Sequence, residues 1–240
     1  MTNYQMILQI NDKTRANIEK IQENNKMEKI NKCISFTEDL NLWLSCCGEF
    51  QDYILVREAQ DECIKSILMC MQGFYKEAMV SLRQAMEHML FAIFLSTSDY
   101  NYRLWKRGTY DMSWNQIVDP QKGIFGKEYI SSYARDLDDN RSIELLTIAK
   151  SVYRECSEYV HGNYNKLILL SDNLDYNEEN VDRYIEIFES MQYLICMSLM
   201  IRFREIFDKK ENLVKLESVV MDNLGTLPEI QILYSTEKGE

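Results

Sequence analysis

The chain has 240 residues, 46% of them hydrophobic, and carries a formal net charge of −11. That length supports one large domain or two small ones, while two prolines and eight glycines are too few for the many short loops of a sandwich or barrel. The acidic charge excludes a broad, sequence-independent grip on nucleic acid, which needs a basic face, but permits a small local basic cleft.

Targeting and redox features predict a cytoplasmic protein that does not span a membrane. The longest apolar run, Met89 to Leu95, is far shorter than the roughly 20 residues that cross a bilayer. The segment Met1 to Lys13 lacks the basic-then-apolar layout of a secretory signal. Seven cysteines, an odd number with Cys46 and Cys47 adjacent, are interpreted as reduced core residues, and two histidines are too few for a usual zinc site. We expect no metal and no cofactor.

The first half of the chain predicts long helices. Asn3 to Asn31 has the narrow apolar stripe of an amphipathic helix, which packs on its own core or on a partner. Gln51 to Met71 and Phe74 to Ser96 form an antiparallel hairpin joined tightly at Gly73. The expected core faces of this hairpin are Ile64, Ile67, Leu68 and Met71 on the first helix, and Met79, Leu82, Met86, Met89, Leu90 and Ile93 on the second.

The middle of the chain is less regular. Thr97 to Phe125 is rich in aromatic residues, and such a segment anchors a loop onto the core more often than it binds a ligand. Lys127 to Leu137 predicts a short helix. A helix from about Arg141 to His161 follows, with Asn140 as its N-cap and Gly162 as the residue that ends it.

The last part predicts one more long helix and a short extension. After a polar loop at residues 172–177, Asn177 caps a helix that runs to about Lys210. A short helix then ends near Gly225, and the apolar run from Ile230 to Tyr234 predicts a weak strand. The fold class is therefore all-α, divided into an amphipathic N-terminal helix (1–35), a helical domain (36–210) and a C-terminal helix and tail (211–240).

Candidate chemistry concentrates in one segment, Tyr153 to Tyr164, because phosphate loops, nucleophile elbows and H-E-x-x-H motifs are absent from the sequence. Seven residues make nearly two helical turns, so Arg154 and His161 project from almost the same face, with Glu158 between them. An arginine that grips phosphate oxygens and a histidine that titrates near neutrality can handle a phosphodiester without a metal ion.

This segment resembles the signature of the HEPN superfamily, in which an arginine precedes a histidine near a helix end within an all-α bundle. The gap here is six residues. A second similarity lies upstream, where Gly73 to Ala78 leads into a helix with Arg83 and Glu87 four residues apart. The sequence departs from the usual pattern in having Glu155 directly after the arginine, where family members carry asparagine, aspartate or histidine.

The resemblance implies a HEPN-like bundle that acts as a metal-independent endoribonuclease and homodimer, as a toxin or antiviral effector held in check by a partner. Arg154 would stabilise the scissile phosphate and His161 would act as general acid or base, leaving a 2′,3′-cyclic phosphate. Supporting or substrate-binding roles fall to Ser157, Glu158, Tyr164, Arg83 and Glu87. The tyrosine that a partner modifies in some family toxins lies two residues after the histidine, so that role does not transfer to Tyr164.

Simpler structural roles stand beside these assignments. Arg154 can pair with Glu158 on the surface, and His161 can interact with the helix dipole. Arg83 and Glu87 are better explained as a structural pair than as catalysts. A catalytically inactive HEPN-like scaffold or sensor subunit that binds a partner protein is therefore the alternative function, favoured by the acidic charge and by Glu155.

Overall fold

The computed structural model describes residues 3–48, 50, 53–111, 113–137, 139–169 and 174–235. Across these ranges the chain is all-α, with twelve α-helices, one 3-10 helix and no strand. The helices are α1 (Asn3–Glu23), α2 (Met27–Cys47), α3 (Ile54–Gln72), α4 (Tyr75–Leu95), α5 (Asp99–Lys106), α6 (Trp114–Ile117), α7 (Lys127–Tyr133), α8 (Asp139–Val160), α9 (Tyr164–Leu169), α10 (Glu178–Arg202), α11 (Lys210–Leu224) and α12 (Pro228–Ser235), with the 3-10 helix at Arg204–Asp208.

Helices α4 and α10 form the centre of the bundle, and the predicted α3–α4 hairpin is confirmed. Gly73 joins its two helices with a φ of 89°, a left-handed conformation that a side chain rarely adopts. A Cβ at this position would also lie 2.6 Å from Nδ2 of Asn17, which crosses the hairpin tip. Glycine is therefore required here both by backbone conformation and by the close approach of α1.

The buried face of α3 differs from the predicted one. Ile67 is buried as expected, but Ile64 and Leu68 are 49% and 48% exposed. Most of the side chains that α3 buries are small, so α3 can lie close to its neighbours. Its buried residues are Leu55, Val56, Ala59, Cys63, Ser66, Ile67 and Cys70.

The predicted single helix over Asn3 to Asn31 is wrong, because the chain breaks between α1 and α2 at Asn25, whose φ is 57°. Asparagine is one of the few residues with a side chain that tolerates this left-handed conformation. Burial on α1 begins only at Thr14, and the side chain of Asn17 donates to the backbone oxygens of Gln72 at 2.9 Å and Leu174 at 2.7 Å.

The aromatic segment anchors to the core as predicted, although it is more regular than expected. It contains α5 and α6, and Ile117, Ile124 and Phe125 are fully buried. The Trp114 ring stacks on the Tyr153 ring at 4.2 Å between centroids and 8° between planes. This stacking fixes the segment against the same helix that carries the Arg154/His161 motif.

Several helix ends differ from their predicted positions. Helix α7 ends at Tyr133, before Leu137, and Asn140 lies inside α8 because that helix begins at Asp139. Helix α10 is capped as predicted, since the Asn177 side chain accepts from the Asn180 amide at 2.9 Å, but it ends at Arg202. Residues 51–52 of the predicted α3 and 170–173, around the predicted polar loop, lie outside the described residues.

The C-terminal region is helical to the end of the described chain. Helix α11 ends at Leu224, next to the predicted Gly225, but Ile230 to Tyr234 lies in α12 and the predicted strand is wrong. Side chains from all three predicted segments, including Ile21, Leu216 and Ile230, join one buried core. The boundary at residue 35 falls inside α2, and the division into three segments remains a prediction.

The cysteines and the most apolar helix both belong to the core. All seven cysteines are free, six are buried and Cys46 is half-buried, which confirms their interpretation as reduced core residues. Among the described helices, α10 alone is long and apolar enough to cross a bilayer, yet 72% of its apolar window is buried inside the protein. That distribution fits the central helix of a soluble bundle.

Candidate functional site

The end of α8 is built as the sequence predicts. The His161 amide still donates to the Ser157 oxygen at 3.0 Å, so His161 keeps the helical register. Gly162 then turns left-handed with a φ of 68°, and the Asn163 amide donates back to the Glu158 oxygen at 3.1 Å. This pattern is the glycine-terminated cap that satisfies the last carbonyls of a helix. It fixes the position of His161 relative to Arg154.

Arg154 and His161 both face solvent. The Arg154 side chain is 83% exposed, and its Nε donates to Glu158 Oε1 at 3.2 Å. Lys150, one turn earlier, is also exposed and falls on the same face of α8 by helical geometry. We name Lys150, Arg154 and His161 the outer basic stripe. Sequence reasoning missed Lys150, although its spacing of four residues before Arg154 was a usable signal.

Glu155, the departure from the family pattern, points the other way. Its carboxylate is 13% exposed and pairs with Lys166 of α9 and with Arg183 of α10, the latter at 3.2 Å. Burial alone would raise the pKa of Glu155, but the hydrogen bonds and charges of Arg183 and Lys166 outweigh it and hold the pKa below its usual value. Glu155 therefore ties α8 to two other helices.

Of the remaining predicted site residues, Arg83, Glu87 and Ser157 make structural contacts, and Tyr164 is exposed on the surface. Arg83 pairs with Glu87 at 3.2 Å, and the same guanidinium donates to the Tyr153 hydroxyl at 2.6 Å and lies 4.3 Å from the centre of that ring. Ser157 donates to the Tyr153 backbone oxygen at 2.6 Å, which is an internal helix contact.

The Arg83–Glu87 pair thus joins α4 to the stack of Tyr153 on Trp114. This contact fits a structural role for the pair rather than a catalytic one. Tyr164 begins α9 and is 75% exposed. Of the supporting residues, Glu158 alone contacts Arg154, and Tyr164 lies close to His161 along the chain.

A cleft of about 720 Å³ lies beside this helix end, between α9 and the start of α10. Neither Arg154 nor His161 lines it, so the outer basic stripe lies outside this cleft. The lining carries four carboxylates against two cations: Tyr159, Lys166, Glu178, Glu179, Asn180, Asp182, Arg183 and Glu186. Within the described ranges, no group of three or more histidine, cysteine, aspartate or glutamate side chains is placed to hold a metal ion.

The chain matches no family model, no curated protein and no solved structure at a significant level. The likeness of the Arg154 to His161 segment to the HEPN signature rests on the residues themselves.

Proposed function

We propose that this protein is a metal-independent endoribonuclease of HEPN type, cytoplasmic and active as a homodimer, in a toxin or antiviral defence setting. The observation that carries the proposal is the outer basic stripe, three basic side chains on one exposed helix face of a chain with a net charge of −11. A local positive stripe attracts a phosphate backbone, although the net charge of the protein repels it.

The chemistry follows from the side chains in the stripe. An RNA 2′-oxygen attacks the neighbouring phosphorus, the bond from phosphorus to the 5′-oxygen breaks, and the 5′-oxygen takes a proton. Arg154 offers in-plane N–H donors to the phosphate oxygens as negative charge builds on them. His161 removes or supplies a proton, a role that histidine side chains commonly take in catalysis. The products are a 2′,3′-cyclic phosphate and a 5′-hydroxyl.

The dimer is part of the proposal because the outer basic stripe of one copy is exposed to solvent. An exposed stripe leaves the scissile phosphate in water, and one histidine cannot act as base and acid at the same moment. Two copies related by a two-fold axis supply two histidines and enclose a shared cleft. Exposed apolar side chains at this helix end, Val160 at 41%, Tyr164 at 75% and Ile168 at 51%, supply apolar contact area for such an interface.

Two observations favour the second candidate, an inactive HEPN-like scaffold or sensor that binds a partner protein. Glu155 is held inward by Lys166 and Arg183, so the polar group that follows the arginine in the family is absent from the surface. Arg154 also already has a carboxylate partner, Glu158, which a phosphate must displace. Both features lower the driving force for RNA cleavage without affecting the fold.

Cleavage of RNA in the presence of a chelator tests the proposal. Arg154→Ala should abolish cleavage, while Arg15→Ala should not, because Arg15 is an equally exposed arginine paired with a glutamate four residues later. Each protein is expressed with and without candidate partners from the same locus, since a partner that holds the enzyme in check conceals activity. Cleavage that survives Arg154→Ala contradicts the enzyme proposal, and partner binding without any cleavage supports the scaffold.

A further inference from the structure

A second basic surface lies at the opposite end of α10. From Arg183, which contacts Glu155, the helix runs to Arg202, a distance of about 28 Å at the α-helical rise per residue. There the ends of α2 and α7, the 3-10 helix and the start of α11 enclose a cleft of about 380 Å³. We name it the Arg202 cleft, and it is lined by Cys46, Cys47, Gly48, Ser132, Tyr133, Arg202, Phe203, Arg204, Glu205, Ile206, Lys209 and Asn212.

The charge of this cleft is opposite to that of the chain. Its lining contains three cations and a single carboxylate, that of Glu205. Arg204 is held by Asp136 at 2.7 Å, but within the described residues Arg202 and Lys209 have no carboxylate at ion-pair distance. Two unneutralised cations that line one cleft of a protein with a net charge of −11 indicate a site for an anion.

The geometry of Arg202 specifies which kind of anion. Its guanidinium lies 4.9 Å from the centre of the Tyr133 ring and 4.8 Å from that of Phe203. One edge, Nε and Nη2, donates to the Ser96 hydroxyl and backbone oxygen, both at 2.9 Å. The other edge, which includes Nη1, has no partner among the described residues. Two rings and two hydrogen bonds thus hold a guanidinium whose remaining edge matches the paired oxygens of a phosphate or carboxylate.

A neighbouring polar atom lacks a partner. The Tyr129 hydroxyl is buried and makes no hydrogen bond within the described structure, and its ring lies 4.8 Å from that of Tyr133, which lines the cleft. A buried hydroxyl without a partner costs free energy unless a water molecule or ligand completes it. The cleft volume also exceeds what a single ion fills and lies in the range of small-molecule sites.

We propose that the Arg202 cleft binds a small phosphate monoester. Its phosphate sits on the open edge of Arg202 with Lys209 as a second cation, and the body of the ligand occupies the rest of the cleft. The site is separate from the outer basic stripe and independent of the ribonuclease proposal, because the two lie near opposite ends of α10.

Titration calorimetry with adenosine 5′-monophosphate and adenosine tests the proposal. The monophosphate should bind with a dissociation constant below about 1 mM and adenosine should not bind. Lys209→Glu should weaken binding about tenfold or more, whereas Lys210→Glu, the same change at the adjacent exposed lysine outside the lining, should alter it less than about twofold. Equal losses in the two variants, or no heat with the wild type at about 10 mM monophosphate, overturn the proposal.

Cys46 provides a second, local readout. It is the one cysteine that is not fully buried, and it lines the cleft. Alkylation of Cys46 should slow severalfold when adenosine monophosphate saturates the protein, and binding should persist in Arg154→Ala. Bound monophosphate that leaves Cys46 unprotected, or binding that disappears in Arg154→Ala, places the ligand elsewhere and contradicts this assignment. Arg202→Lys, which keeps the charge but loses the paired donors, should also weaken binding about tenfold in a folded protein.

Discussion

The last two turns of α8 have an inward and an outward face, and each face carries a glutamate that forms ion pairs in a different environment. On the inward face, Glu155 is partly buried and its carboxylate binds cations from two other helices. On the outward face, Arg154 and Glu158 pair within one helix and the arginine is 83% exposed. Buried pairs are costly to break, whereas exposed pairs contribute little to stability and leave side chains available to a ligand. The inward face therefore holds the fold, and the outward face is the candidate for chemistry.

Loss of His161 should have the strongest effect on RNA cleavage and none on stability. His161→Ala should lower the initial rate of RNA cleavage by about 10²- to 10⁴-fold, the usual contribution of a general acid or base. Urea unfolding should give an unchanged free energy, because His161 is exposed and caps no other element. Full cleavage activity in His161→Ala would show that His161 is not the general acid or base.

The inward face should respond in the opposite way. Glu155→Gln should lower the free energy of unfolding by about 1–3 kcal/mol, a figure reduced for the partial exposure of Arg183. Glu158→Gln is the matched control, and it should cost less than about 1 kcal/mol because its partner is exposed. Both variants are measured by urea unfolding. Equal losses of unfolding free energy would contradict the proposed difference between the two faces.

The pH dependence of stability sharpens the same contrast. The pKa of Glu155 is lower in the folded chain than in the unfolded one, so its contribution is complete above the usual glutamate range of about pH 4 to 5. That contribution is lost as the pH falls through the folded pKa. The difference in unfolding free energy between wild type and Glu155→Gln should therefore shrink from pH 7 to pH 3. A difference that stays constant would argue against an ionised Glu155 paired with Lys166 and Arg183.

A smaller effect concerns the proposed dimer. Tyr164→Glu places charge at the exposed start of α9 and should shift the protein from dimer to monomer in light scattering, with cleavage reduced about tenfold. Tyr100→Glu, at a tyrosine that is 70% exposed on α5, is the control and should leave both unchanged. A wild-type protein that is monomeric at all concentrations would contradict the shared cleft.

The smallest effect lies at the turn that both faces share. Gly162→Ala forces a side chain into a left-handed conformation and should destabilise the protein by about 1 kcal/mol, as thermal unfolding would reveal. Ser157→Ala, in the same turn, removes only a hydroxyl bonded within the helix and should cost less.

The sequence predicted local features of the site and missed those that depend on distant partners. The Gly162 helix end and the shared face of Arg154 and His161 follow from spacing within one turn or two. The role of Glu155 does not, because Lys166 and Arg183 are brought to it by the packing of α9 and α10.

The same limit explains the errors in the fold. Asn25 breaks the first helix through a left-handed conformation that the apolar spacing of the segment does not reveal, and the short apolar run in α12 fits a strand or a helix equally. The Arg202 cleft joins three segments that are far apart in the chain, residues 46–48, 132–133 and 202–212, so no local sequence pattern predicts it.

Identification of the RNA ends tests the central claim most directly. Wild-type protein is incubated with RNA and a chelator, and the new termini are analysed by mass spectrometry beside Arg154→Ala. We expect 2′,3′-cyclic phosphate and 5′-hydroxyl ends that are absent with the variant. New ends bearing a 3′-hydroxyl and a 5′-phosphate, or intact RNA with the partner-free dimer, would contradict it.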